Sequence, residues 1–151
     1  MSTAKRNTTK RASVPAATPA PGVVDLSAIE ASIKRQDEGI VVDIMGPDGK
    51  TPLGLKIRVA GPDSARAREG LEALIDELTA EGGAGNATKA ERYDHGLRYL
   101  AKTSMSWEGQ VKFDGKVHDF SEAAALALYR RFGFISPQVD KAVDRSRFMN
   151  G

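Results

Sequence analysis

The chain has 151 residues, with 22 Lys and Arg against 20 Asp and Glu, which gives a formal net charge of +2. This length suits one globular domain, or two small lobes that share a core. The absence of Cys excludes disulfides and thiolate metal sites. No apolar run approaches the roughly 20 residues of a membrane-spanning helix, and the N-terminus lacks the apolar centre of a secretory signal, so we expect a cytosolic protein.

Residues 1–22 are predicted to form a disordered basic arm. Their four positive charges are balanced by no acid and lie at Lys5, Arg6, Lys10 and Arg11. The segment is rich in Pro, Ser, Thr and Ala and has too little apolar surface to offset its ordering entropy. Such an arm could contact nucleic acid or an acidic partner, but a solvated tail is the interpretation we favour, and nucleic-acid binding is unlikely.

Residues 23–81 are predicted to form a lobe of helix, β-hairpin and helix. The first helix begins near Asp25 or Ser27 and stops by Gly39. Apolar runs at 39–45 and 53–59 flank Pro47-Asp48-Gly49, which predicts a type I turn continued by a left-handed glycine. Ser64 then caps a helix over 64–80, whose predicted apolar stripe is Leu71, Leu74, Ile75 and Leu78.

Residues 82–87 are predicted to be a Gly-rich joint, and 88–151 a mainly helical C-terminal region with a small hairpin. Thr88 and Glu91 have capping-box spacing, which starts a helix that fades near Ser104 and has Tyr93, Leu97 and Leu100 on one face. The hairpin is expected over 107–120, turning at Asp114-Gly115 with either a two-residue or a bulged turn. Ser121 starts a helix with Ala125, Leu128, Tyr129 and Phe132 on one face. A last helix follows Ser136-Pro137 and carries Val139, Ala142, Val143 and Ser146.

The predicted fold class is therefore α+β, with antiparallel β-hairpins, four to five short helices and the disordered basic arm. No catalytic signature accompanies it. Gly49-Lys50-Thr51 is not a phosphate loop, because Ile44 stands where a glycine is needed and a strand follows Pro52. His95 and His118 have no partner at metal-ligand or triad spacing. We therefore expect a protein without enzymatic activity, cofactor or metal.

The order of motifs near the C-terminus resembles that of bacteriophage tail assembly chaperones. The motifs are Trp107-Glu108-Gly109, Asp114-Gly115-Lys116, Phe120-Ser121, Leu128-Tyr129, Gln138-Val139-Asp140 and Phe148. The resemblance implies that the protein works in the host cytoplasm and binds the helical tape-measure protein during tail assembly. It also implies self-association, contact with tail-tube subunits and, in some members, a longer frameshifted isoform. The chain departs from the family pattern at Gly133-Phe134, where a Pro-Trp pair is expected.

A binding function needs a partner surface, which we predict at Trp107, Arg130, Arg131 and Phe134, with Leu128 and Phe132 mainly in the core. Taken alone, Trp107 is better explained as a core plug than as an interface anchor. Two other functions remain open. The same surfaces could be permanently buried between copies in a structural virion protein of the tail or connector. A small nucleic-acid-binding regulator would instead use the basic arm.

Overall fold

A computed structural model describes residues 22–149. Within them lie six helices: α1 (Ser27–Glu38), α2 (Ala65–Ala80), α3 (Lys89–Thr103), α4 (Glu122–Arg131), α5 (Ser136–Ala142) and α6 (Ser146–Met149). The strands are β1 (Ile40–Met45), β2 (Pro52–Val59), β3 (Ser104–Trp107), β4 (Val111–Phe113) and β5 (Lys116–His118). The α+β class with antiparallel hairpins is confirmed. The predicted arm lies outside the described residues except for Gly22.

The β1–β2 hairpin has the predicted turn. The N–H of Gly49 donates to the carbonyl of Gly46 over 2.9 Å, and Gly49 adopts a φ of 75°, as a left-handed residue after a type I turn should. The carboxylate of Asp48 accepts hydrogen bonds from the hydroxyl of Thr51 and from two backbone N–H groups, and these lower its pKa to about 2. The turn is therefore held by its own side chain.

The register of this hairpin shifts beside Gly54, which has a φ of 79°. The irregularity turns Leu53 outward, whereas Leu55, Ile57 and Val59 stay buried. Strict alternation along the strand would place Leu53 on that same buried face, but a bulge interrupts the alternation.

Trp107 belongs to this first sheet. The sequence analysis had placed it in the second hairpin, and that prediction was wrong. The strand order is β1-β2-β3, and Ile57 pairs with Trp107 in antiparallel register. The second hairpin contains only β4 and β5. Its connection is a two-residue turn, since Asp114 and Gly115 have φ values of 52° and 75°, the pair of positive angles that a type I′ turn requires.

A single hydrophobic core joins the predicted lobe (23–81) to the predicted C-terminal region (88–151). The sheet contributes its buried face, and α3, α4 and α5 contribute the apolar side of each helix. The most enclosed large side chains of the core are Ile44, Ile57, Leu128, Tyr129, Ile135 and Val139. Because β3 follows the Gly-rich segment and pairs with β2, the two parts of the chain share one sheet as well as one core.

The last predicted helix is two separate helices. The helix α5 ends at Ala142, and α6 begins at Ser146, whose N–H and hydroxyl both donate to the carboxylate of Asp144. That local hydrogen bonding competes with continuation of the helix, which explains why Ser146 does not lie on α5. No helix within residues 22–149 is long and apolar enough to cross a membrane.

Candidate functional site

An open apolar groove lies between α3 and α5. Its volume is about 320 Å³. One wall comes from α3 and the other from the N-terminal turn of α5; the lining residues are Arg92, Tyr93, Gly96, Leu97, Tyr99, Leu100, Ser136, Pro137 and Asp140. The capping box at Thr88 and Glu91 fixes the start of the first wall, and Pro137, at the start of α5, forms part of the second.

Helical spacing explains which α3 residues meet in this groove. Leu97 and Leu100 are buried and form its base, whereas Tyr93, one turn earlier, is 57% exposed at the rim. Between them lies Gly96, where an added Cβ would have no neighbour within 4 Å. Glycine inside a helix costs roughly 1 kcal/mol relative to alanine. No described packing contact accounts for that cost, and the missing side chain leaves open space in this wall of the groove.

Charged groups surround one end of the groove, beside Tyr99. Burial raises the pKa of Tyr99, and the carboxylates of Asp63 and Asp140 add to the shift while Arg145 opposes it. Arg145 donates two hydrogen bonds to Asp63, of 2.7 and 2.9 Å, and holds the pKa of that carboxyl below its ordinary value. The groove is thus apolar at its base and polar at its rim, a typical arrangement for a protein-binding surface.

A second apolar surface, the α2 row, consists of Leu71, Ile75 and the half-buried Leu78. These residues are spaced i, i+4 and i+7 and so form one ridge along the helix. Leu71 and Ile75 are 49% and 53% exposed. The predicted stripe is therefore only partly in the core: α2 buries the face that contains Leu74, together with Ala67 and Gly70, and leaves the neighbouring ridge in solvent.

The structure places Trp107 in the core. The side chain is 6% exposed and packs edge-on against Phe120, with ring centroids 5.2 Å apart. Its indole N–H has no hydrogen-bond partner among the described residues. As a strand residue opposite Ile57, Trp107 has little surface to offer a partner in this conformation.

The other three residues predicted for the partner surface lie nearer the solvent. Arg130 forms a two-fold hydrogen-bonded ion pair with Asp94, each contact 2.7 Å long, which raises the pKa of the guanidinium. Arg131 donates to Asp114 over 2.9 Å and lies 5.5 Å from the ring centroid of Phe132. Phe134 is half-buried against the core and 6.3 Å from Phe132. These contacts connect α4 to α3 and to the second hairpin.

None of the four predicted residues lines the groove between α3 and α5. The sequence analysis had placed Tyr93, Leu97 and Leu100 on one helix face but had not identified that face as a candidate binding surface. The signal that it overlooked is Gly96, an unfavourable residue in the middle of an otherwise well-formed helix.

The two histidines lie in different parts of the fold. The ring of His118 stacks on Phe113 with centroids 4.1 Å apart, and its Nε2 is buried without a partner among the described residues. His95 lies on α3 beside the Gly-rich segment. Within residues 22–149, no group of three or more His, Asp or Glu side chains could hold a metal ion.

Comparison with known proteins gives no match. No family model matches the chain, and neither a curated protein nor a solved structure does. The candidate site therefore rests on its own geometry.

Proposed function

We propose that this protein is a phage tail assembly chaperone without enzymatic activity, which binds apolar helical segments of the tape-measure protein. The observation that carries the proposal is the open groove between α3 and α5. Its base is apolar, its rim has Tyr93 and Tyr99, and Gly96 leaves room for side chains from outside. An amphipathic helix presents apolar side chains at i, i+3, i+4 and i+7, which is the pattern that such a groove can receive.

The α2 row supports the same proposal. A ridge formed by Leu71 and Ile75 offers apolar area to a partner helix, and covering it would remove that area from water on both proteins. A tape-measure protein that is not yet enclosed in its tail tube exposes long apolar stripes. Reversible binding to these stripes would suppress aggregation until tail-tube subunits replace the chaperone.

The test is co-expression with the tape-measure protein of the same phage, followed by pull-down. Gly96→Leu adds a side chain in the wall of the groove at a position where a new Cβ meets no neighbour within 4 Å, and we expect capture to fall by about tenfold or more. Gly85→Leu is the matched control, because Gly85 also has open space around its Cβ but lies in the Gly-rich segment away from the groove. A folded Gly96→Leu variant that captures the tape-measure protein as well as the control does would overturn the groove as the site.

Leu71→Lys combined with Ile75→Lys tests the α2 row separately. Both side chains are half exposed, so the charges should cost the fold little, whereas a helix seated on the ridge would lose its apolar contact. If this variant still captures the tape-measure protein, the α2 row is not needed for binding and the groove alone is the binding site.

The alternative is a structural protein of the tail or connector, in which the α2 row is permanently buried between copies. The exposed ridge favours this alternative as much as it favours a transient partner. Purified particles distinguish the two, because a chaperone leaves the assembly and a structural subunit stays in it.

A further inference from the structure

The outer edge of β1 is an open sheet edge that borders a second groove. In the strand order β1-β2-β3, β1 has a neighbouring strand on one side only. On its other side lies a cavity of about 320 Å³. Residues 40–43 form one wall of this edge groove, and the opposite wall consists of Gln138, Lys141, Ala142 and Arg147.

At one end of this edge, a side chain takes the place of a strand. The N–H of Met45 donates to Oε1 of Gln138 over 2.8 Å, and Nε2 of Gln138 donates to the carbonyl of Met45 over 2.9 Å. The amide of Gln138 therefore pairs with Met45 as the backbone of a neighbouring strand would. These two hydrogen bonds also show that the N–H and the C=O of Met45 point away from β2.

The orientation of Val41 and Asp43 follows from their partners on β2. In an antiparallel pair, alternate residues present both the N–H and the C=O to the same side. The carbonyl of Lys56 accepts from the N–H of Glu108 over 3.1 Å, so Lys56, which lies opposite Asp43, faces β3. The backbone groups of Asp43, and two residues earlier those of Val41, therefore face the open edge. The hydrogen bonds described for residues 22–149 give them no partner there. Within the described part of the chain, Val41 and Asp43 thus have backbone donors and acceptors without a partner, and the two residues are spaced for strand pairing along the edge groove.

The charges of this groove favour an acidic occupant. Lys141 and Arg147 line it and form no ion pair among the described residues. Asp43 is the single acid of the lining, so positive charge exceeds negative charge. Two copies joined edge to edge would bring their own Lys141 and Arg147 side chains to one seam, where like charges repel.

We propose that the edge groove binds an extended acidic peptide segment, which adds a strand to β1 through the backbone of Val41 and Asp43. Main-chain hydrogen bonds supply affinity in this mode, and the flanking Lys141 and Arg147 select acidic side chains. The site differs from the groove between α3 and α5. Ser136, Pro137 and Asp140 face that groove, whereas Gln138, Lys141 and Ala142 face this one, so α5 separates them. The inference does not depend on the tape-measure proposal.

The probe is a random library of peptides about nine residues long, long enough for an ordinary strand, selected on the full-length protein. We expect the enriched peptides to be acidic and poor in proline. A fluorescein-labelled copy of the best peptide is then titrated by anisotropy. Val41→Pro removes the N–H that faces the groove, and Lys141→Glu with Arg147→Glu reverses the charge. Each is expected to weaken binding by about tenfold or more, whereas the control Val41→Thr, which keeps the N–H, binds normally.

A change on the peptide guards against a folding defect in the Val41→Pro protein. Only every second N–H of a bound peptide strand can face β1. Two peptides are therefore made, one N-methylated at the odd-numbered and one at the even-numbered positions, and one of the two should no longer bind the unaltered protein. The proposal is overturned if no peptide is enriched, or if binding survives both N-methylation patterns. It is also overturned if the protein dimerises in solution and Val41→Pro dissociates the dimer, because the edge would then pair with a second copy.

Discussion

The hydroxyl of Tyr129 lies 2.7 Å from Oγ of Ser104, and both side chains are buried. Ser104 also donates its hydroxyl hydrogen to the carbonyl of Leu100 over 2.8 Å. Since a serine hydroxyl has one hydrogen, Tyr129 must be the donor in the contact between the two side chains. This chain of hydrogen bonds connects the last turn of α4 to the point where α3 ends and β3 begins.

Tyr129→Phe is expected to lower the free energy of unfolding by about 1 kcal/mol at neutral pH, because it removes one buried hydrogen bond while keeping the ring. Urea denaturation measures the change. An unaltered midpoint would show that the hydroxyl contributes nothing beyond its packing. Tyr93→Phe is the matched control, since Tyr93 is largely exposed.

Tyr129 should also make the fold sensitive to alkali. Burial raises its pKa from 10.0 to about 12, although the hydrogen bond with Ser104 opposes the shift. A raised pKa means that the folded state holds the proton more tightly. The associated stability is therefore complete below pH 10 and is lost as pH rises toward 12. The loss is about 2–3 kcal/mol, and it should be absent from Tyr129→Phe measured over the same range.

Gly96→Ala is expected to stabilise the protein by about 0.5–1 kcal/mol, because the added methyl group reduces the freedom of the unfolded chain and meets no neighbour. Gly70→Ala provides the comparison within another helix. There the new Cβ would lie 3.1 Å from Cβ of Lys102, which is tighter than ordinary contact. The melting temperature of Gly96→Ala should be higher than that of Gly70→Ala, and the opposite order would contradict the described packing.

Gln36→Leu should destabilise the fold by about 1–3 kcal/mol. Gln36 is 1% exposed; its Oε1 accepts from the N–H of Asp63 over 2.6 Å, and its Nε2 donates to the carboxylate of Asp63 over 3.2 Å. Leucine keeps most of the volume but leaves these partly buried groups without that partner. Chemical denaturation gives the magnitude. An equal or greater stability for Gln36→Leu would mean that water satisfies these groups.

Glu77 should contribute stability that disappears in acid. Its hydrogen bonds to Lys102, and then to Arg98, hold the pKa of Glu77 below its ordinary value of 4.5. The contribution is therefore present above pH 4.5 and is lost as pH falls through the lowered pKa. The free energy of unfolding should fall less between neutral and acidic pH for Glu77→Gln than for the unaltered protein. Glu72→Gln is the control, since Glu72 forms no ion pair among the described residues.

Local elements of the fold could be predicted because their determinants lie within a few residues of one another. The Ser64 hydroxyl caps α2, and Thr88 and Glu91 form the capping box of α3. The Asp114-Gly115 turn likewise follows from two residues that tolerate positive φ. The pairing of strands that are distant in the sequence could not be predicted. Nothing near Trp107 in sequence indicates that it lies opposite Ile57, and periodicity alone could not show that Leu71 and Ile75 remain exposed.

The candidate sites were harder to predict than the elements that form them. The α3 face with Tyr93, Leu97 and Leu100 could be read from spacing, but its role as one wall of a groove depends on the position of Pro137. The pairing of Gln138 with Met45 joins residues from distant parts of the chain and follows no local rule. The function, and the partner-binding role of Trp107, Arg130, Arg131 and Phe134, stay predictions.

The late position of β3 in the chain has a consequence for synthesis on the ribosome. The β1–β2 hairpin can close as soon as Val59 has emerged, but the strand that covers the other edge of β2 is still untranslated. Until Trp107 leaves the exit tunnel, the nascent hairpin exposes both of its strand edges and its apolar face. Truncated products that end in the Gly-rich segment should therefore aggregate or be degraded, and the fold should be acquired only after β3 has emerged.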